Sequence, residues 1–234
     1  AAACRPGVLS EGAVYVVMER VDGRPLDEVG GLRWRTIQDL LLQCLRALAH
    51  AHARGVLHLD LKPANLMLGS DGQVRLVDFG VAAMLSASQS ASRKVAGTPW
   101  TMAPEQWGGE LSRLGPWTDL YGLGCTAWLL LTGEAPFPLE DWRALAKAHS
   151  QAPRPTLSVG DPDLEAWLHR MMAIRPGERF GSAAEAADAL VALAGPEGRT
   201  AGSAEVELPT ELSISGDTGA PLVADTGSFS LRTP

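Results

Sequence analysis

The stretch HLDLKPANLML, residues 58–68, sets an acid at Asp60, a base at Lys62 and an amide at Asn65 among leucines. Polar groups gathered so closely in an apolar segment mark a reaction centre. The stretch runs on into NLMLGSDGQVRLVDFG, two short apolar runs about a Ser-Asp-Gly turn, which reads as a β-hairpin. A hairpin returns its far end beside its near end, so Asp78, thirteen residues after Asn65, is carried back towards that amide. One carboxylate and one amide carbonyl are hard oxygen donors. They suit Mg²⁺, which takes few protein ligands and completes its shell with phosphate and water oxygens. Beside such a site Lys62 can offer positive charge to a phosphoryl group, and Asp60 can orient or deprotonate an attacking hydroxyl.

The bulk composition narrows the setting. A chain of 234 residues with 46% hydrophobic and 20% charged residues has enough apolar side chain for one good core and an appendage. Its net charge of −7 argues against a nucleic-acid partner and against docking on anionic lipid. The cysteines, Cys4, Cys44 and Cys125, are odd in number and far apart, so neither a disulfide framework nor a zinc site is expected. That pattern fits a reducing cytoplasm. No apolar run is long enough for a membrane-spanning segment, and AAACRPG has neither the basic start nor the apolar core of a signal peptide. Because the first residue is not Met, the chain is expected to begin within a longer protein.

Around the polar cluster the pattern is mainly helical. AVYVVMERV (residues 13–21) is β-branched and aromatic and predicts a strand, followed by VDGRPLDEVG as a turn-rich connection. From Thr36 to His52, Ile37, Leu40, Leu41, Cys44, Leu45 and Leu48 recur at helical spacing, with Gly55 as the stop. His50 and His52, two apart on that helix, do not share a face and are read as ordinary helix residues rather than metal ligands. Residues 81–100 are Ala- and Ser-rich without a period and predict a mobile loop. Further helices are expected at 120–131, 139–149, 164–172 and 182–193, the last opened by a capping box of Ser182 and Glu185. The tryptophans at 100, 107, 117, 128 and 142 are expected to pack in the core or a groove. Residues 196–234, rich in Gly, Ser, Thr and acid, are expected to form a disordered acidic linker or tail.

Taken in order, these stretches resemble the protein kinase family, in particular the bacterial Ser/Thr kinases. HLDLKPAN is similar to the catalytic loop, DFG (78–80) to the metal-binding start of the activation segment, and GTPWTMAPE (97–105) to its end. DLYGLG (119–124), LTGEAPF and RPGERF (175–180) follow as the later helical landmarks. The resemblance implies an α+β, protein-kinase-like fold. Its parts would be a remnant of the small-lobe sheet and hinge in residues 1–21, a mostly helical large lobe in 22–195 and the tail beyond. It implies ATP and Mg²⁺ as cofactors and the Ser/Thr side chains of a protein as substrate. Asp60 would be the catalytic base, Lys62 the γ-phosphate contact, Asn65 and Asp78 the metal ligands, and Thr98 the hydroxyl bonded to Asp60 and Lys62. Met18 falls at the gatekeeper position, Glu19 and Val21 would meet the adenine through their backbones, and Met67 would lie beneath it. Glu105 and Arg179 match a buried ion pair, His58 and Phe79 a hydrophobic stack between lobes, and Asp119 the acid that holds the catalytic loop.

The departures carry expectations too. Neither a GxGxxG loop nor a strand lysine with its helix glutamate precedes the catalytic loop, so this chain alone is expected to be a poor catalyst. Leu59 replaces the Arg usual before the catalytic Asp, which disfavours switching by phosphorylation of the loop that holds Ser86, Ser88, Ser90 and Ser92. The rival reading is a pseudokinase or scaffold that keeps the lobe as a protein-binding surface.

Overall fold

Ile37, Leu40, Leu41, Cys44, Leu45 and Leu48 all fall on one side of the first helix, α1 (Trp34–His52), and all are buried. This is the amphipathic helix the spacing predicts, begun at Trp34, two residues ahead of Thr36. It ends at His52, and Gly55 turns the chain away in the left-handed region (φ 71°), where a Cβ is costly. The computed structural model describes residues 5–8, 14–17, 19–79, 98–109, 111–157 and 161–193, of which 5–8, 14–17 and 111 are described by backbone alone. The predicted tail (196–234) and residues 81–97 of the predicted loop lie outside the described residues, while the end of that loop, Pro99 and Trp100, belongs to a 3₁₀ turn.

The strands form two small sheets. Strands β1 (Arg5–Val8) and β2 (Val14–Val17) form an antiparallel pair. The second sheet has the order β3 (Gly23–Pro25), β4 (Leu66–Gly69), β5 (Val74–Leu76), all antiparallel. The β4–β5 hairpin is the one the Ser-Asp-Gly turn predicts, but β3 lies in the segment expected to be only a connection. Its composition hides it: Gly and Pro weaken a strand, yet Pro25 is tolerated on a sheet edge. A Cβ at Gly23 would run into the Leu68 carbonyl, so the smallest residue lets β3 close on β4. Leu26, just after it, is fully buried and anchors the strand to the core.

The remaining helices are α2 (Pro104–Trp107), α3 (Pro116–Thr132), α4 (Trp142–Gln151), α5 (Pro162–Met171) and α6 (Ala183–Val191). Helix α3 is buried without interruption from Thr118 to Leu131, as a helix apolar on every side must be. Around it, α1 packs against α3 and α6, and α5 against α3 and α6. Gln38 of α1 donates to the carbonyls of Leu190 (2.8 Å) and Leu193 (3.2 Å), satisfying groups that the end of α6 leaves open. Start positions follow the caps. Asp141 accepts the Ala144 N–H at 2.7 Å, so α4 begins at Trp142 rather than Leu139. Ser182 accepts the Glu185 N–H at 3.1 Å, while the Glu185 carboxylate reaches one residue further out, to the Gly181 N–H at 2.7 Å.

Of the tryptophans, Trp128 is in the core, and Trp100 and Trp107 pack on a small cluster of Phe137, Leu145 and Ala148. Trp117 and Trp142 depart from the expectation of burial, at 37% and 57% exposed. Among the described residues no helix is long and apolar enough to cross a membrane.

Candidate active site

Residues 58–62 are an irregular loop whose backbone is held from the core helix. The carboxylate of Asp119, on α3 and fully buried, accepts the N–H of His58 (2.9 Å) and of Leu59 (2.7 Å). His52 adds its Nε2 at 2.8 Å to the same carboxylate. Sequence reading singles out Asp119 and passes over His52, because a histidine at a helix end carries no pattern that names a partner sixty-seven residues away. Leu59 is left-handed (φ 65°), as is Asp78 (φ 61°). Such a conformation costs an L-residue about 1–2 kcal/mol and survives only where the surroundings fix it.

Asp60, Lys62 and Thr98 converge. The Thr98 hydroxyl donates to Asp60 Oδ1 at 2.7 Å and accepts Lys62 Nζ at 3.0 Å. Lys62 Nζ also stands 3.1 Å from Asp60 Oδ2, with the two side chains 32% and 21% exposed. A partly open ion pair adds little stability, so this cluster is placed for access rather than for holding the fold.

Asn65, in the turn that opens β4, is 5% exposed. Its Nδ2 donates to the Asp60 carbonyl (2.8 Å) and to Asp60 Oδ2 (3.2 Å), which turns Oδ1 away from Asp60. The Val77 N–H donates to the Asn65 carbonyl at 3.0 Å, so the chain just after β5 is tied to Asn65 and Asp78 follows at once. An amide oxygen with fixed orientation and an exposed carboxylate fit a hard divalent cation that keeps water or phosphate in its shell. Met67, half-buried on β4, faces the same region of sheet as Pro25, its partner in register. Glu19 and Val21 precede β3, and Met18 lies outside the described residues. The His58 and Phe79 rings are in contact, centroids 4.6 Å apart and tilted by 46°. Burial pushes the His58 imidazole below its usual range, more than Asp119 and the Val77 carbonyl draw it up.

Beyond Thr98, the 3₁₀ turn Pro99–Thr101 and α2 are locked to the helical body. Glu105 meets Arg179 through two bonds, Nη1–Oε1 at 2.7 Å and Nη2–Oε2 at 2.9 Å, with both side chains buried. Its neighbour Gln106 donates to the Leu59 carbonyl at 2.9 Å and accepts the Ala103 N–H at 2.8 Å. No sequence pattern points to Gln106; the one clue is an amide beside an acid at the start of a short helix.

Beneath the Pro99–Thr101 turn, α4 supplies a buried histidine, His149. Arg154 Nη1 donates to the Tyr121 hydroxyl at 2.8 Å, and that hydroxyl shares a 2.7 Å hydrogen bond with His149 Nδ1. Burial, then the Arg154 charge, lowers the imidazole to about 4 against a smaller upward pull from the Pro99 carbonyl. Unfolded, this histidine binds its proton near pH 6.5. Between those values the unfolded chain holds the extra proton, so stability falls as pH drops from about 6.5 to about 4. The loss expected from this residue is about 3 kcal/mol. Denaturant titrations across that range check it: His149→Gln, which cannot titrate, flattens the slope, and an unchanged slope would refute the assignment.

A loop acid paired with a lysine, an amide and a second acid brought together by a hairpin, and a helical lobe that locks the adjoining segment define a phosphoryl-transfer class of fold. A family model described as "Protein kinase domain" matches residues 7–190, and the chain belongs to the protein kinase family. It is similar to the serine/threonine-protein kinase PknA of Mycobacterium tuberculosis, 36% identical over 188 residues that make up 76% of this chain and 42% of that protein. Pkn1 of Myxococcus xanthus is 40% identical over 194 residues (77% of this chain, 28% of that protein). The probable PknB of Bifidobacterium longum is 33% identical over 187 residues (75% and 27%). The chain thus spans less than half the length of these curated relatives. They make it a catalytic domain of the bacterial Ser/Thr type, from a family that generally uses ATP and Mg²⁺.

Proposed function

We propose that the domain, within its full-length protein, transfers the γ-phosphoryl group of ATP to a Ser or Thr hydroxyl of a protein substrate. The observation that carries this reading is the Thr98 hydroxyl set between Asp60 (2.7 Å) and Lys62 (3.0 Å). A purely structural loop has no need of an acid, a base and a hydroxyl interlocked at a partly open surface. Asp60 takes the role of orienting the attacking hydroxyl and accepting its proton, and Lys62 that of neutralising the transferring phosphoryl oxygens. Asn65 Oδ1 and the Asp78 carboxylate would hold Mg²⁺, whose charge offsets that of the phosphates. Glu19, Val21 and Met67 line the adenine side, with Met18 as gatekeeper. Residues 1–21 then belong to the small lobe and hinge, 22–195 to the large lobe and 196–234 to a linker or tail. The widely spaced cysteines, with Cys44 and Cys125 free and buried, agree with a cytoplasmic setting.

The test is nucleotide binding followed by transfer in the full-length protein. ATP at about 100 times its Kd stabilises a binding-competent fold by about 2.7 kcal/mol. The melting temperature therefore rises with ATP plus Mg²⁺, the rise is lost in Asp78→Ala, and label from ATP appears on a Ser/Thr peptide. A shift indifferent to Mg²⁺ and to Asp78→Ala, with no label transferred, would sink the reading.

A further inference from the structure

Leu59 holds a left-handed backbone (φ 65°) one residue before Asp60. Two peptide planes define that conformation, and each has its own clamp. The plane before Leu59 gives its N–H to Asp119 Oδ1 at 2.7 Å. The plane after Leu59 gives its carbonyl to Gln106 Nε2 at 2.9 Å, and the N–H of this same plane belongs to Asp60. Gln106 is 6% exposed, and its Oε1 accepts the Ala103 N–H at 2.8 Å. The amide cannot be turned over, because Ala103 must donate and the Leu59 carbonyl must receive. An apolar side chain at 59 gives a charged partner nothing to grip, so restraint of this residue falls on its backbone.

We propose that Gln106 is a positioning residue, which transmits the docking of the segment from Thr98 to α2 onto Asp60 by fixing the Leu59–Asp60 peptide plane. The inference rests on the role given to Asp60 above. With the segment docked, both clamps are closed and Asp60 faces Lys62 and Thr98. With it undocked, Leu59 keeps the Asp119 clamp and, on its far side, only the long bond from the Asp60 N–H to His58 Nδ1 at 3.4 Å; it relaxes out of the left-handed region and swings the Asp60 carboxylate off the line of attack. Regulation of the site would then run through a neutral amide and a backbone carbonyl, with no phosphate on the loop required. The blander account is that Gln106 merely satisfies a buried carbonyl. That account predicts lost stability but no selective loss of turnover.

The experiment compares Gln106→Met, Gln106→Glu, Leu59→Gly and Gln106→Met/Leu59→Gly in the full-length protein, reading kcat, peptide KM and denaturation midpoint for each. Met removes the donor at similar volume, and Glu keeps the acceptor for Ala103 while setting a carboxylate against the Leu59 carbonyl. Gly at 59 takes a positive φ without a Cβ penalty. Misplacing a catalytic group by a fraction of an ångström to an ångström costs about tenfold to a hundredfold in rate, so Gln106→Met is expected to lose at least about tenfold in kcat. Peptide KM stays within about twofold, Gln106→Glu loses at least as much, and adding Leu59→Gly restores part of the turnover. An unchanged kcat in Gln106→Met, or no recovery in the double variant, overturns the proposal. Should the wild-type protein transfer no phosphate, the functional reading fails on its own, and the midpoints still decide this one. Leu59→Gly must then raise the midpoint less in the Gln106→Met background than in wild type, because there the left-handed strain is already released, and equal effects overturn it. If Gln106→Met fails to fold, the same comparison is made on Gln106→Glu.

Discussion

Asp60→Asn in the full-length protein lowers kcat by about 10²–10⁴-fold, the contribution of a positioned general base, and leaves the KM for ATP close to its wild-type value. The geometry accounts for both halves of that expectation. Asp60 Oδ1 receives the Thr98 hydroxyl at 2.7 Å, while Oδ2 faces Asn65 Nδ2 at 3.2 Å and Lys62 Nζ at 3.1 Å. These three neighbours of the carboxylate are all donors, so an isosteric amide must turn its own NH₂ towards one of them. The hydroxyl of a docking Ser or Thr then meets a group that no longer accepts its proton. The side chain is one-fifth exposed, so the fold loses little, and Asn65 keeps its shorter bond to the residue-60 carbonyl at 2.8 Å. Phosphate transfer to peptide, measured at saturating Mg²⁺ and ATP, decides the matter. A variant within about threefold of wild type would assign the reaction to positioning alone.

How much of this was legible in the chain depends on the range of the interaction. The β4–β5 hairpin, α1 and the Ser182 cap rest on neighbours within a few residues, and local spacing predicts them. The Asp60, Lys62 and Asn65 cluster is local as well, the hairpin carries Asp78 back to it, and the resemblance to a family adds Thr98, Glu105 and Arg179 from a distance. What stayed hidden lacks both kinds of signal. Strand β3 carries Gly23 and Pro25, residues that argue against a strand until β4 is beside them. His52 on Asp119 and Gln106 on the Leu59 carbonyl join residues 67 and 47 apart, and their chemistry is that of ordinary surface groups until the fold buries them. The left-handed φ at Leu59 is equally silent, since leucine is a residue that avoids it.

Arg179→Met destabilises the domain by about 3–5 kcal/mol, because it strands a buried Glu105 without its counter-charge. The magnitude follows from what Arg179 does besides pairing. Its guanidinium, fully buried, also donates to the carbonyls of Ala173 (2.8 Å), Trp117 (2.8 Å) and Ile174 (3.2 Å), and lies 4.7 Å over the Tyr121 ring. Removing it therefore leaves three carbonyls and a carboxylate short of donors, while Glu105 keeps the Thr118 hydroxyl at 2.9 Å. Against a total stability of about 5–15 kcal/mol, that loss is a large fraction. At about 2–4 °C per kcal/mol for a domain of this size, the melting temperature drops by about 10 °C. Replacing both partners, Glu105→Leu with Arg179→Met, should cost less than either single change, since no charge is then left buried and alone. Thermal unfolding of the three variants separates the cases. A single-variant loss below about 1 kcal/mol would reduce the pair to the worth of a surface contact. The expected order also bears on the site: Glu105 adjoins Gln106, so loosening α2 by way of Arg179 withdraws the clamp on Leu59, and residual activity in Arg179→Met should fall further than the folded fraction.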